Sequence, residues 1–219
     1  AASPAATPAV PESPLAVLAP QTAPAVSPLC PQVESTLIEA EKKLNTDRRL
    51  AQAFANAGNV ALPMLFVTGE PHGRPDKELP DFVLKNAIAF SAADGGYAVP
   101  TQAVDAGVIP SLGAVAAVIG HLNVTPDVDG AIRTEPLVVS HFDKAIPSLS
   151  LAVASKSLNL TAADLKVRPG ESVQLGNRKI ATDEATRMLT FYYKDNASGQ
   201  PAFPVDSFFD VKSGKIPLD

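Results

Sequence analysis

The sequence is poor in cysteine and in aromatic residues. Among its 219 residues, Cys30 is the single cysteine, tryptophan is absent, and aromatic residues make up 5%. One cysteine cannot form a disulfide within the chain, and it cannot supply the several thiolates of a zinc or iron–sulfur site. Cysteine usage therefore leaves the compartment open, because a lone thiol is compatible with either side of a bacterial membrane.

Excess positive charge and long apolar runs are also missing. The formal net charge is −5, and the lysines and arginines form no basic stripe, so no nucleic-acid partner is predicted. The longest largely apolar stretch, residues 107–120, is interrupted by Pro110, Ser111 and Gly113. It falls short of the roughly 20 residues that a membrane-spanning helix needs.

The sequence lacks the short motifs of common catalytic sites. It contains no nucleophile elbow, Walker loop, GxGxxG or HExxH pattern. Its three histidines, His72, His121 and His141, do not have a metal-ligand spacing, although His121 and His141 would approach each other if their strands paired. We therefore predict no enzyme, no cofactor and no metal site.

Proline is abundant and is concentrated at the start of the chain. Residues 1–31 hold eight of the 21 prolines, together with many alanines. Proline lacks the amide hydrogen that helices and central strands require, so this segment predicts an extended arm or linker. An alternative is that residues 14–20 pack across the core. Residues 32–219 carry enough apolar side chains for one core and predict a single domain.

Apolar periodicity after residue 32 predicts an α/β domain with a mixed, mostly antiparallel sheet and several packed helices. Helices are expected from Val33, from Asp47 with Leu50, Phe54 and Ala57 buried, and at about 110–119, 147–158 and 204–214. Strands are expected at 59–67, 86–92, 121–124, 131–142 and 188–194, with a small hairpin at 172–182 and an N-cap at Thr161.

Three prolines predict specific local structure. Pro110 and Pro147 each belong to an Ile-Pro-Ser-Leu segment, where proline at the first helical position explains both. Pro63 interrupts the strand at 59–67 and predicts a bulge or an edge position there.

The segment from Gly120 to Pro136, GHLNVTPDVDGAIRTEP, concentrates polar residues between apolar ones. A calcium loop with Gly130 at its sixth position would need a glutamate where Pro136 stands, so we favour a turn that joins 121–124 to 131–142 as a hairpin. Arg133 shares a strand face with Glu135. Its guanidinium predicts either a structural ion pair with a carboxylate or an anchor for an anionic ligand.

These residues resemble the type-two CHASE domain, an extracellular sensory module of bacterial histidine kinases and cyclases. The motif G-x-x-N-x-x-x-D-x-D-G-x-x-R of that family is matched by Gly120, Asn123, Asp127, Asp129, Gly130 and Arg133. The segments at 46–64 and 191–217 resemble the parts that lead into the central strand and that close the domain. The resemblance spans about Asp47 to Pro217.

The resemblance implies a non-enzymatic, extracytoplasmic (periplasmic) domain that senses an unidentified small molecule for a transmembrane signal-transduction receptor. Membrane contact is then expected through flanking segments outside this chain. We choose Arg133, Asn123, His121 and Tyr192 as candidate ligand-binding residues from their side-chain chemistry, because the resemblance does not fix a ligand. The alternative is a secreted or surface-attached binding or scaffold domain without a signalling output.

Two features depart from the family pattern. The family usually begins with a tryptophan-containing strand and helix, so residues 1–46 are unlike the family. It also usually ends with a further apolar strand, and this sequence has none after its last predicted helix. A sheet edge left open in this way tends to pair with another chain, and we therefore expect a homodimer or an edge-to-edge contact between chains.

Overall fold

A computed structural model describes residues 31–75, 77–89 and 96–216 of the chain. Most of the predicted arm, including Cys30, and the second half of the strand expected at 86–92 lie outside these residues. The chain divides into two compact units between Asn45 and Thr46. It has the predicted α/β fold, with a mixed sheet and mostly antiparallel strand pairs.

The first unit contains one described helix, α1 (Pro31–Leu44). Glu34 lies in its first turn and two lysines lie in its last turn, which suits the partial charges at the two ends of a helix. Leu37, Ile38 and Leu44 are exposed.

The second unit carries the other elements. Its helices are α2 (Thr46–Ala57), α3 (Asp81–Leu84), α4 (Pro110–Gly113), α5 (Leu149–Ser157) and α6 (Phe208–Lys212), with a 3₁₀ turn at Ala162–Asp164. Its strands are β1 (Ala61–Thr68), β2 (Val99–Ala106), β3 (Val118–His121), β4 (Thr134–Pro136), β5 (Val138–His141), β6 (Lys144–Pro147), β7 (Leu165–Arg168), β8 (Ser172–Leu175), β9 (Arg178–Ala181) and β10 (Arg187–Leu189).

A five-stranded mixed sheet organises this unit, in the order β3-β1-β2-β5-β6. β1 pairs parallel to β3 and antiparallel to β2, and β5 pairs parallel to β2 and antiparallel to β6. A single parallel bridge between His121 and Ser148 links the two outer strands of the sheet. The start of α5 is thereby held against β3.

The β5–β6 hairpin lies between two apolar clusters. Val138 and Ala145 pack with Leu151 of α5 and with the three-stranded sheet β7-β8-β9. Their neighbours Val139 and Ile146 pack in the second cluster, with residues of β1, α3 and β3. Successive side chains of a strand point to opposite faces, so this hairpin is covered on both sides.

Several local predictions are confirmed. Gly58 ends α2 with a positive φ of 67°, as expected of a residue in the left-handed region. Thr161 and Asp164 form a capping box, and the hairpin β8–β9 turns at Gly176. Pro63 lies where β1 pairs with β3 alone, because pairing with β2 begins at Leu65, so it occupies a local edge position.

Other predictions are wrong in extent. The helix expected at 110–119 is only α4, because Val118 and Ile119 enter β3 instead. Pro147 ends β6, and Ser148 caps α5 by accepting a hydrogen bond from the Leu151 amide. Helix α2 buries none of its residues, and Leu50 is 43% exposed. Within the described residues, the strand expected at 86–92 is reduced to one bridge at Ile88. The strand expected at 188–194 is β10, which ends at Leu189.

The predicted hairpin of 121–124 with 131–142 is also wrong. His121 lies in β3, which pairs with β1, whereas residues 134–136 pair with β10 as a separate two-stranded sheet. The apolar residues 138–141 pair with β2 and β6 in the central sheet. Burial of these residues on both faces outweighs local hairpin pairing, so the two flanks of the turn separate.

Replacing Gly120 with alanine should destabilise the second unit by at least about 2 kcal/mol. A methyl group at this position would lie 2.6 Å from both N and Cα of Leu149, and these are backbone atoms that cannot rotate away. The free energy of unfolding in urea measures the effect. Gly107→Ala is the matched control, because its methyl group would meet only Val104 Cγ1 at 3.6 Å. Equal stability of the two variants would contradict the close contact of β3 with α5.

Candidate functional site

The segment between Asp127 and Gly130 forms a tight turn, as its sequence predicts. The Gly130 amide donates to the Asp127 carbonyl at 2.8 Å, and the Asp127 amide donates to the Ala131 carbonyl at 2.9 Å. Gly130 has a φ of 80°, a value that glycine adopts without the penalty that other residues incur.

Arg133 binds the two aspartates of this turn. Its guanidinium donates to both carboxylate oxygens of Asp129, at 2.9 and 2.7 Å, and to Asp127 at 2.7 Å. The hydrogen bond from Arg133, followed by that from the Ala131 amide, holds the pKa of Asp129 below its ordinary value. The structural ion pair proposed for Arg133 is present, with these aspartates as partners, while Glu135 accepts a hydrogen bond from Ser150.

Asn123 extends the pairing of β1 and β3 through its side chain. Its amide nitrogen donates to the Phe66 carbonyl at 2.6 Å, and its oxygen accepts from the Phe66 amide at 3.0 Å. The Leu122 amide donates to the Met64 carbonyl just before it. The side chain thus replaces a peptide group, and its donor and acceptor both bind the backbone of β1.

His121 is buried at the end of β3, with 1% of its surface exposed. Nδ1 accepts a hydrogen bond from the Asn123 amide at 3.2 Å, so the proton of the neutral ring is on Nε2. Nε2 has no hydrogen-bond partner among the described residues. Burial lowers the pKa of His121 to about 3, and the ring is therefore uncharged at neutral pH.

Tyr192 lies on the surface, with 74% of its side chain exposed. Its hydroxyl donates to the Ile132 carbonyl at 2.7 Å, which ties the segment after β10 to the residues before β4. Arg133 and Tyr192 therefore lie in one region, and His121 and Asn123 lie at the end of β3. None of the four lines the cavities described below, and their role in ligand binding stays a prediction.

A cavity of about 460 Å³ opens between the loop before α3 and the end of β2. Met64, Leu79, Phe82, Val83 and Val108 supply much of its apolar wall, and His141 lines it as well. This volume is within the range of small-molecule sites, which are mostly apolar with a few polar groups. Sequence analysis did not predict this cavity, because its walls come from segments that are distant along the chain.

His141 is the buried polar residue of this cavity, with 4% of its surface exposed. Its Nδ1 lies 2.9 Å from Oγ1 of Thr101, and its ring lies against Phe66, with centroids 5.1 Å apart. Burial lowers its pKa, and the nearby charge of Asp143 opposes that shift only in part. Sequence reasoning considered His141 only as a partner for His121, but the two histidines lie on strands that do not pair.

A second cavity, of about 420 Å³, also borders His141 and lies at the β5–β6 turn. The turn has two residues, Phe142 and Asp143, and Phe142 has a φ of 52°. The Phe142 ring contacts the His141 ring edge-on, with centroids 4.9 Å apart. A bulky residue in the left-handed region is uncommon and is found preferentially at functional positions.

Two further properties concern the described part of the chain. No described helix is both long and apolar enough to cross a membrane. The histidines and acidic residues described also form no group of three or more that could hold a metal ion.

In the comparison with protein families, the model of the CHASE2 domain matches residues 20–219. The match therefore covers most of the chain, including the motif at residues 120–133, the cavity walls and the segment after β10. It begins at residue 20, so the expectation that residues 1–46 are unlike the family is wrong for residues 20–46. No curated protein and no solved structure matches the chain.

The stability of the protein should fall as the pH decreases from 7 to 5. The folded-state pKa of His121, about 3, is below the ordinary value of 6.5, so the unfolded chain binds the proton first and stability is lost on acidification. The contribution of His121 over this interval is about 2 kcal/mol. Urea unfolding at pH 7, 6 and 5 measures it.

His121→Asn is the comparison variant, because its oxygen can still accept from the Asn123 amide but does not titrate. Its stability should depend less on pH in this interval, with the remaining dependence coming from His141, which shifts in the same direction. Identical pH dependence of the wild type and the variant would show that His121 is not buried as a neutral ring.

Asn123→Asp should destabilise the fold by about 1 to 3 kcal/mol, because a carboxylate oxygen would replace the donor that faces the Phe66 carbonyl. Asn196→Asp is the control: aspartate preserves the bonds that the Asn196 oxygen accepts from the amides of Ser198 and Gln200, and it loses only an exposed donor to Gln200 Oε1. Thermal unfolding of the two variants checks the difference. If Asn123→Asp were as stable as the control, its pairing with β1 would be unimportant.

Proposed function

We propose, because this chain belongs to the CHASE2 family of receptor sensor domains, that it is the extracytoplasmic ligand-sensing domain of a bacterial transmembrane receptor. The receptor transmits the signal to a cytoplasmic histidine kinase, cyclase or similar output. The domain itself has a binding role and no catalytic one. The family match over residues 20–219 is the observation that carries this proposal.

A sensing role requires that a ligand bind two conformations of the domain unequally. Moving a population from 1:99 to 99:1 takes about 5.5 kcal/mol of differential affinity. Apolar burial in a cavity the size of that beside His141, together with one or two hydrogen bonds, is of the right order. A small-molecule signal can therefore supply the differential affinity that this proposal requires.

Three of the four residues chosen from the sequence already bind other groups of the protein through their polar side-chain atoms. An anionic ligand at Arg133 would have to compete with the carboxylates of Asp127 and Asp129, which already occupy the guanidinium. The side-chain groups of Asn123 are bound to Phe66, and the Tyr192 hydroxyl is bound to Ile132. Ligand contacts by these residues, like the homodimer, remain predictions for experiment.

Cell fractionation of the complete gene product that contains this chain tests the proposal. A receptor should sediment with the inner membrane, and protease added to spheroplasts without detergent should digest this domain. The measurement is immunoblotting with an antibody raised against residues 46–216.

The other outcomes of this experiment have clear meanings. Recovery of the protein in the periplasm or the medium, free of the membrane, would favour the secreted binding or scaffold domain. Protection from protease until the spheroplasts are lysed would place the domain in the cytoplasm and overturn the proposal.

A further inference from the structure

Among the described residues, the cavity between the loop before α3 and the end of β2 combines apolar walls with one buried polar residue. Met64, Leu79 and Val83 are buried apolar residues of its wall. Three exposed residues also line it: Lys77 is positive, Glu78 is negative and Gln102 is neutral. His141 is therefore the polar side chain that a ligand inside the cavity would meet.

The hydrogen bonds of Thr101 determine which nitrogen of His141 carries the proton. The Thr101 hydroxyl has one proton and two neighbours, the Ser140 carbonyl at 3.1 Å and Nδ1 of His141 at 2.9 Å. We assign the proton to the carbonyl, because a carbonyl can only accept whereas Nδ1 can carry a proton and donate. The contact of this hydroxyl with Nδ1 of His141 is then a hydrogen bond in which Nδ1–H donates. Nε2 consequently carries a lone pair, and it has no hydrogen-bond partner among the described residues.

A neutral imidazole with Nδ1 already bound offers a ligand one acceptor. Burial favours the uncharged ring by lowering the pKa of His141. A carboxylate or phosphate would bring its own lone pairs to that acceptor and would lose its hydration in an apolar cavity, which is costly without a counter-charge. A hydroxyl or N–H group on an apolar molecule satisfies both the acceptor and the walls.

We propose that this cavity is the ligand site of the domain and that it binds an uncharged, mainly apolar small molecule, which donates one hydrogen bond from a hydroxyl or N–H group to Nε2 of His141. This inference rests on the proposed sensing function and names the chemical class of its signal. The ligand contacts His141, the last residue of β5, so binding acts directly on the end of the β5–β6 hairpin.

Four small probes separate this ligand class from its alternatives. Phenol and indole are apolar and donate one hydrogen bond, toluene has a similar shape to phenol without the donor, and benzoate is an anion. Nitrogen NMR of protein labelled with ¹⁵N-histidine should first show Nε2 of His141 unprotonated at pH 7.5. Phenol and indole should then shift this resonance saturably, and toluene should bind about fivefold more weakly than phenol, the factor expected for one hydrogen bond.

Three variants of the full chain locate the binding. His141→Asn keeps a donor for Thr101 but has no acceptor at the position of Nε2, and it should weaken phenol binding about fivefold while leaving toluene binding unchanged. Ala103→Phe places a large ring on the exposed side of the cavity wall and should abolish binding of both probes. Lys179→Ala changes an exposed residue of β9 that does not line the cavity, and it should bind phenol like the wild type. Thermal unfolding of each variant confirms that it is folded.

The outcomes distinguish this inference from the proposed function. Benzoate binding that is lost in Arg133→Ala, without saturable phenol or indole binding, would overturn the His141 site but would leave a sensing domain with an anion site at Arg133. Equal binding of phenol by the wild type and Ala103→Phe would also overturn the inference. A protein located in the cytoplasm that still binds phenol at His141 would instead overturn the proposed receptor role alone.

Discussion

Burial of the β5–β6 hairpin on both faces is the constraint on which the second unit depends. Val138 and Ala145 contribute to one apolar cluster, and Val139 and Ile146 contribute to the other. The same hairpin pairs with β2 along one edge and leads through Ser148 into α5. Because alternate residues of these short strands supply two cores, the hairpin cannot shift by one residue without exposing both.

This constraint also determines what the residues of the GxxN…DxDGxxR motif do. Gly120 allows the backbone of α5 to approach β3, and Asn123 continues the pairing of β3 with β1. A largely exposed ion pair joins Arg133 to the two aspartates of the turn, Asp127 and Asp129. Exposed ion pairs contribute little to stability, so their main effect is to define the conformation of this turn.

The same hairpin places His141 where the two cavities meet. The ring is held by Thr101 on one side, contacts Phe66 and Phe142, and is the last residue of β5. A ligand in either cavity would contact a residue that belongs to the central sheet. Occupation of the cavity is therefore physically connected to the hairpin that both cores share, which is the kind of coupling a sensor domain requires.

The site shows the limits of reasoning from sequence most clearly. Arg133 was correctly expected to need a carboxylate, but the two-residue period pointed to Glu135, because the curvature of the turn toward Asp127 and Asp129 is not encoded in strand periodicity. His141 was identified only as one of three histidines. Its environment comes from Thr101 and Leu79, which are 40 and 62 residues away along the chain.

The sequence by itself determined the α/β class, the family, and those local features whose causes lie within a few residues. Examples are the glycine end of α2 at Gly58, the capping box at Thr161, the turn at Gly130 and the hairpin at Gly176. Tertiary structure decided how the short apolar segments pair. Residues 118–121 became β3 and the flanks of the Gly130 turn separated, because burial against β1, β2 and β6 outweighs the local preferences of four-residue segments.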